Sequence, residues 1–175
     1  MAQRMGKEEV VAFLRDGGYE FKMVEHEAVF TMEGMEALNL PFGEEVVKNL
    51  FLRDDKKRNY YLVVMPEDKP ANLKELRTKL EARPLRFASE DDLTQYLGLR
   101  GGAVSPFGVL NDEDAAVQVF STKSSGGIAG WECILTTIRQ RCTLPWTTWF
   151  GSSRAMGIPC GSSSSQGPSL RNKIF

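Results

Sequence analysis

The fold is decided by residues 49–64, which read NLFLRDDKKRNYYLVV. Two runs rich in aromatic and branched side chains, at 49–52 and 60–64, flank a charged loop at 53–59. Such side chains favour the pleated strand, and polar residues favour the turn between two strands. We therefore predict a β-hairpin here, and we expect the charges of its loop to be solvated.

Helices and further strands are predicted on both sides of the hairpin. Residues 6–17 carry apolar side chains at nearly helical spacing and end at a pair of glycines. Asn72 and Ser89 each precede an acidic residue by three positions, which predicts capped helices through Glu81 and Leu97. We also expect a helix at 31–40 and strands at 19–23, 107–110 and 116–120. The irregular order favours an α+β fold, in which helices surround a mixed, mostly antiparallel, curved and barrel-like sheet.

The composition of the chain changes near residue 120. Residues 1–120 carry 16 Lys and Arg against 22 Asp and Glu, whereas residues 121–175 carry six and one. All three Cys and all three Trp also lie beyond residue 120. We therefore divide the chain into a domain at 1–120 and an aberrant tail at 121–175.

Several classes of protein are disfavoured by the sequence. There is no apolar run of membrane-spanning length, and the start of the chain lacks the apolar stretch of a signal peptide, so we expect a soluble cytoplasmic protein without membrane contact. The intervals between the cysteines match no zinc pattern, and no metal or cofactor is predicted. An acidic first domain also disfavours binding to DNA.

Four motifs follow one another in a specific order, at residues 24–31, 48–54, 85–88 and 102–108. Together they resemble the prolyl-tRNA editing family, which includes free-standing alanyl-tRNA(Pro) deacylases and the editing domain inserted in bacterial prolyl-tRNA synthetases. The resemblance covers about residues 5–120. It implies trans-editing, the hydrolysis of the ester in mischarged aminoacyl-tRNA, here alanyl-tRNA(Pro). It also implies that tRNA(Pro) is a partner and that prolyl-tRNA synthetase is a candidate partner.

The resemblance assigns roles to individual residues. Lys48 takes the catalytic position, where an ammonium group can hold a phosphate or polarise the ester carbonyl. The attacking water is helped by the ribose hydroxyl of the substrate, so no Ser–His–Asp set is required. Substrate binding is assigned to His26, Asn49, Gly102, Ala103, Val104, Ser105 and Pro106.

Each of these residues also has an ordinary structural interpretation. A lysine beside a strand is usually a solvated charge, a Gly-Gly…Pro stretch is usually a turn, and a single histidine is usually a hydrogen-bonded structural residue. Adjacent strand residues point to opposite faces, so we expect one of Lys48 and Asn49 to face away from the site.

The tail lacks the C-terminal elements that the family resemblance implies. Members of the family continue with a strand carrying a Gly-Val-His-Pro-Asn-type motif, another strand and a last helix. The codons that residues 132–138 permit, read one frame away, allow Val-His-Pro-Asn-Asp-Asn. The reading continues in family order through residue 163, and the single codon of Trp146 forces an Asp within it. We therefore hypothesise a frameshift near Ser121, in the gene or in its sequencing. The fold is then incomplete at its C-terminus, the tail is poorly ordered, and the histidine of the family motif is absent.

Two alternatives to an enzyme stay open at this point. One is a non-catalytic module that binds tRNA or a synthetase, and the other is an inactive remnant of the deacylase. Ester turnover separates the first from an enzyme, and cooperative thermal unfolding argues against an unstable remnant.

Overall fold

The structure, a computed structural model, describes residues 4–25, 47–121, 131–134, 140–144 and 173–174. Its helices are α1 (Lys7–Asp16), α2 (Leu73–Leu80), α3 (Glu90–Leu97) and the 3₁₀ helix η1 (Pro106–Asn111). Its strands are β1 (Lys22–Glu25), β2 (Val47–Asp54), β3 (Tyr60–Pro66), β4 (Leu85–Phe87), β5 (Val117–Ser121), β6 (Trp131–Ile134), β7 (Gln140–Leu144) and β8 (Lys173–Ile174).

The described strands form two sheets. The larger has the order β4-β2-β3-β5-β8, and the smaller has the order β1-β7-β6. Pairing is antiparallel for β4-β2-β3 and throughout the smaller sheet, and it is parallel for β3-β5 and β5-β8. The α+β fold with a mixed, mostly antiparallel sheet is therefore confirmed. The described strands leave both sheets open, so they do not form a closed barrel.

The predicted hairpin is formed by β2 and β3 and lies at the centre of the larger sheet. Every residue of β3 is buried. On one face, Phe51 and Leu62 pack with Leu93 and Leu97 of α3. The opposite face carries a second cluster that includes Leu52, Val63, Leu76 and Leu80, so α2 covers it. Since side chains alternate along a strand, the hairpin supplies both layers of the core.

The predicted loop differs from expectation at its first two charges, because Arg53 and Asp54 belong to β2 and the Arg53 side chain is only 17% exposed. Asp54 has no exposed surface. Its carboxylate accepts hydrogen bonds from the amides of Lys56 and Arg58, at 3.0 and 2.9 Å, and from Asn59 Nδ2 at 2.7 Å. The prediction of a solvated loop is wrong for Asp54, because its carboxylate satisfies loop amides that would otherwise lack partners.

The local helix signals are confirmed. Asn72 accepts from the amides of Lys74 and Glu75, and Ser89 forms a reciprocal capping box with Asp92. The strand expected at 19–23 begins later, at Lys22. The strand expected at 107–110 is wrong.

Residues 106–111 form η1 because Pro106 occupies its first turn and the hydroxyl of Ser105 accepts from the amide of Phe107 at 3.3 Å. Phe107 nevertheless enters the core, where it is almost fully buried. The helix expected at 31–40 lies outside the described residues.

Candidate functional site

A single side chain on β2 holds the glycine-containing loop that leads into η1. Asn49 Nδ2 donates a hydrogen bond to the carbonyl oxygen of Val104 at 3.0 Å. Asn49 lies opposite Val64 in the β2–β3 register, on the face of the sheet that α3 covers. The sheet and the loop, 55 residues apart in sequence, are thus joined by one amide.

The loop is held at a second point by α3. The amide of Gly101 donates to both carboxylate oxygens of Glu90, at 3.1 and 3.0 Å. Gly102 has a φ of 78°, in the left-handed region where glycine carries no steric cost. Ala103 and Ser105 are buried, and Pro106 begins η1. The backbone of the loop is therefore fixed from the sheet, from the helix and from its own end.

A cavity of about 210 Å³ opens between β2, the start of α3 and this loop. Its lining includes Asn49, Phe51, Phe87, Glu90, Gly101 and Val104. One side is therefore apolar, and the other carries amide and carbonyl groups. The cavity is smaller than the 300–1,000 Å³ typical of sites for drug-sized ligands, which suits a small group or one end of a large substrate.

Lys48 does not line this cavity. Its ammonium group donates to the carbonyl oxygen of Glu67 at 2.9 Å, just beyond the end of β3. Asn49 and the 102–106 loop are thus brought together, whereas Lys48 lies on the opposite face of β2, as the alternation along a strand requires. His26, the remaining predicted binding residue, lies outside the described residues.

A polar cluster supports the apolar side of the cavity. The hydroxyl of Tyr60 donates to Asp92 Oδ1 at 3.1 Å, and Arg53 Nε lies 3.7 Å from Asp92 Oδ2. Burial acts to raise the pKa of Asp92, but hydrogen bonds from Ser89 and Tyr60 outweigh burial and hold that pKa below its usual value. Burial, followed by the nearby Asp92 carboxylate, raises the pKa of Tyr60. Asp92 is therefore charged and Tyr60 is neutral near pH 7, as suits a fixed structural pair.

The arrangement supplies positioned amides and a small partly apolar recess rather than a reactive pair. Glu90, the carboxylate at the rim, is already engaged by Gly101. Within the part of the chain that the structure describes, no group of three side chains could hold a metal ion. No helix there is long and apolar enough to cross a bilayer. The geometry is suited to orienting a substrate.

Sequence reasoning missed Glu90 and Phe87 as parts of this site. The Ser89–Asp92 capping box indicated a helix start but gave no partner for Glu90, because Gly101 reaches it only through the tertiary fold. Phe87 belonged to a family motif at 85–88, and its 57% exposure was not predictable from an apolar residue type.

Comparison with known proteins gives a consistent result. The model of the aminoacyl-tRNA editing domain matches residues 26–121. The prolyl-tRNA editing protein ProX of Acetoanaerobium sticklandii is 45% identical over 128 residues, covering 73% of this chain and 76% of that protein. The prolyl-tRNA synthetase associated domain-containing protein 1 of Danio rerio is 38% identical, covering 63% of this chain and 60% of that protein. A solved structure of a candidate trans-editing enzyme for prolyl-tRNA synthetase shares the fold, with a TM-score of 0.65 at 18% identity over 98% of this chain and 100% of that one.

Proposed function

This chain belongs to the aminoacyl-tRNA editing domain family, and we propose that it hydrolyses the ester that joins a wrongly attached alanine to tRNA(Pro). A synthetase site that accepts proline cannot strongly reject the smaller alanine, because a missing methylene is worth only about 1–3 kcal/mol. A separate hydrolytic site is then needed to remove the error. We propose that the protein acts in the cytoplasm, where it meets tRNA(Pro) and prolyl-tRNA synthetase.

The observation that carries this proposal is the hydrogen bond from Asn49 to Val104 beside the cavity. It fixes the 102–106 loop, which the family resemblance assigns to the aminoacyl adenosine, against a recess that suits one small end of a substrate. Fixed backbone groups stabilise a transition state without reorganisation during the reaction. This is the contribution that we assign to Asn49 and the loop.

The reaction needs only water and the substrate. The oxygen of a water molecule attacks the ester carbonyl, with the neighbouring ribose hydroxyl assisting proton transfer. The bond between the carbonyl carbon and the ribose oxygen breaks, that oxygen takes a proton, and free alanine leaves. No side chain forms a covalent intermediate.

For Lys48, the position of its ammonium group favours the phosphate-holding role over carbonyl polarisation. That group lies beyond the cavity and uses one of its three donors on Glu67. Among the residues that the structure describes, Glu67 is the acceptor that this ammonium group contacts, which leaves two donors for a phosphate of the tRNA 3′ end. We therefore propose that Lys48 anchors the chain of phosphates while the loop orients the ester.

We also propose a frameshift near Ser121, in the gene or in its sequencing, so that residues 121–175 are read out of frame. The family model matches this chain up to residue 121, where the composition changes. The strongest support comes from Trp and Met, which have a single codon each. The third base of that codon is therefore known, and it is the first base of the shifted triplet. In addition to Trp146, the pairs Trp131–Glu132, Trp149–Phe150 and Met156–Gly157 force Gly, Val and Gly. The first of these supplies the Gly that opens the family's Gly-Val-His-Pro-Asn-type motif.

The location of β6 adds a functional consequence. β6 contacts β2, the strand that carries Lys48 and Asn49. The shifted triplets across this strand force Gly and allow Val and His after it, so we propose that the restored reading has a histidine where the chain as written has the codons of Cys133 and Ile134. We propose that this histidine belongs to the complete site.

The test compares the 175-residue chain with a version whose frame is restored after Ser121, using release of alanine from alanyl-tRNA(Pro). Hydrolysis by both proteins means that residues 1–120 hold enough of the site. Hydrolysis by the restored version alone supports both the family activity and the frameshift. If neither protein releases alanine but either binds the tRNA, the non-catalytic module replaces the enzyme. An interrupted alternative frame in the gene would refute the frameshift directly.

A further inference from the structure

The chain that leaves α3 folds back to the first residue of the same helix. α3 ends at Leu97, and the amide of Gly101 then donates to both carboxylate oxygens of Glu90, at 3.1 and 3.0 Å. Gly101 is the second residue of a turn that Ala103 closes by donating to the carbonyl oxygen of Arg100 at 3.1 Å. The amide of the second residue has no acceptor within such a turn. Glu90 supplies that acceptor.

The two glycines of this turn are required for different reasons. Gly102 lies in the left-handed region, which favours glycine. Gly101 lies outside that region, so its backbone conformation suits other residues as well. A Cβ atom at Gly101 would, however, overlap Glu90 Oε1. The missing side chain at Gly101 is therefore what allows the Glu90 carboxylate to reach the amide.

Glu90 extends from a part of α3 that is tied to the sheet. Its neighbours Ser89 and Asp92 form the capping box, with hydrogen bonds of 3.1 and 3.2 Å. Asp92 Oδ1 also accepts from the hydroxyl of Tyr60, at 3.1 Å, and Tyr60 belongs to the buried strand β3. A contact made by Glu90 therefore sets the loop relative to the sheet. A carboxylate in the first turn also stabilises a helix start, but Asp91 supplies that effect equally.

We propose that Glu90 is a positioning residue for ester hydrolysis, because its carboxylate holds the amide of Gly101 and so sets the 102–106 loop against the sheet. This inference rests on the proposed function and adds a residue that acts through the loop without contacting the substrate. A loop held in place needs no reorganisation during the reaction. Loss of the contact should therefore lower kcat rather than raise KM.

The test measures kcat and KM for release of alanine from alanyl-tRNA(Pro), by whichever form of the protein hydrolyses it. Hydrogen exchange of the Gly101 amide is a second readout that is independent of turnover. The variants are Glu90→Ala, Gly101→Ala and the two combined, together with Glu90→Gln, which keeps a side-chain oxygen as acceptor. Asp91→Ala is the matched control, because it removes a carboxylate from the same turn of α3.

We expect Glu90→Ala and Gly101→Ala each to lower kcat about 2- to 12-fold, the range that corresponds to one hydrogen bond. Both variants should keep KM within about twofold of wild type and exchange the Gly101 amide faster. The combined variant should lose no more than either single variant, since both changes remove the same contact. Glu90→Gln and Asp91→Ala should keep kcat within about twofold of wild type.

Additive losses in the combined variant would overturn the proposal, since Glu90 and Gly101 would then act separately. A loss in Asp91→Ala equal to that in Glu90→Ala would also overturn it, because charge at the helix start would explain both. Faster exchange in Glu90→Ala with unchanged kcat would reduce the contact to a structural role. Each of these results leaves the proposed function intact, because wild type still releases alanine. If no form of the protein releases alanine, the positioning role and the proposed function fail together.

Discussion

Replacing Asn49 by alanine is the most direct test of the site, because the Asn49 side chain joins the sheet to the 102–106 loop. The variant removes the donor at 3.0 Å from the carbonyl oxygen of Val104. It leaves the second attachment of the loop, Gly101 to Glu90, in place. The loop should therefore stay folded but lose its fixed distance from β2.

The expected loss of kcat/KM follows from the Val104 carbonyl oxygen, which has no donor once Asn49 is replaced. A buried polar group deprived of its partner costs about 1–3 kcal/mol. If the cost falls on the transition state, kcat/KM decreases about 5- to 150-fold, since about 1.4 kcal/mol corresponds to a factor of ten. Asn49→Asp should be at least as harmful, because it places a carboxylate oxygen against the carbonyl oxygen of Val104.

The assay is release of alanine from alanyl-tRNA(Pro) by whichever form of the protein hydrolyses it, combined with hydrogen exchange of the amides at 101–105. Hydrogen exchange of the amides at 101–105 should be faster in Asn49→Ala than in wild type, and this readout does not depend on turnover. Asn59→Ala is the matched control, because it removes an amide donor that lies 2.7 Å from Asp54 in the hairpin loop. The control should lower stability and leave kcat/KM unchanged. Equal losses of kcat/KM in the two variants, or a value for Asn49→Ala within about twofold of wild type, would refute the positioning role.

Three further predictions concern charge and packing. Asp54→Ala should lower the free energy of unfolding by about 1–3 kcal/mol at pH 7, since it strips three donors of their partner. Burial acts to raise the pKa of Asp54, but these donors outweigh burial and lower it below 3.8. The stabilisation is thus complete above about pH 4 and disappears as the pH falls through the folded-state pKa, so urea titrations of variant and wild type should converge in acid. Gly108→Ala puts a methyl group 2.6 Å from Leu99 Cδ1, and the midpoint of urea unfolding should reveal a destabilisation of about 1–3 kcal/mol; an unchanged midpoint would contradict this packing. Lys48→Ala should weaken binding of a tRNA(Pro) acceptor minihelix and reduce the salt dependence of its Kd, whereas Lys48→Arg should retain both; an unaltered salt dependence in Lys48→Ala would exclude the phosphate contact.

The elements that the sequence predicted well are those specified by neighbours in the chain. The hairpin and the caps at Asn72 and Ser89 depend on contacts within a few residues, and all of them are present. The apolar run at 107–110 is too short for its spacing to distinguish a strand from a helix. Pro106 and the Ser105 hydroxyl, which caps the first turn, favour the 3₁₀ helix that the structure shows. Local pattern was therefore sufficient only where no competing local signal was present.

The candidate site was only partly predictable for a different reason. Alternation along β2 required Lys48 and Asn49 to separate, but the packing of α3 decided which of them faces the loop. The engagement of Glu90 by Gly101 depends on how α3 lies against the loop, and no spacing in the sequence encodes it. The family resemblance pointed to the 102–106 loop, and the fold shows which residues hold that loop in place.

The long sequence separation between Asn49 and Val104 has a consequence for the order of events during synthesis. The β2–β3 hairpin closes a short loop and can form within microseconds of its emergence. The hydrogen bond that fixes the 102–106 loop cannot form until Val104 has been synthesised, 38 residues beyond the end of β3 at Pro66, and β5 can pair with β3 only after that. A nascent chain therefore has a folded hairpin well before the 102–106 loop is fixed, so the proposed editing activity arises late and requires the central sheet to be assembled first.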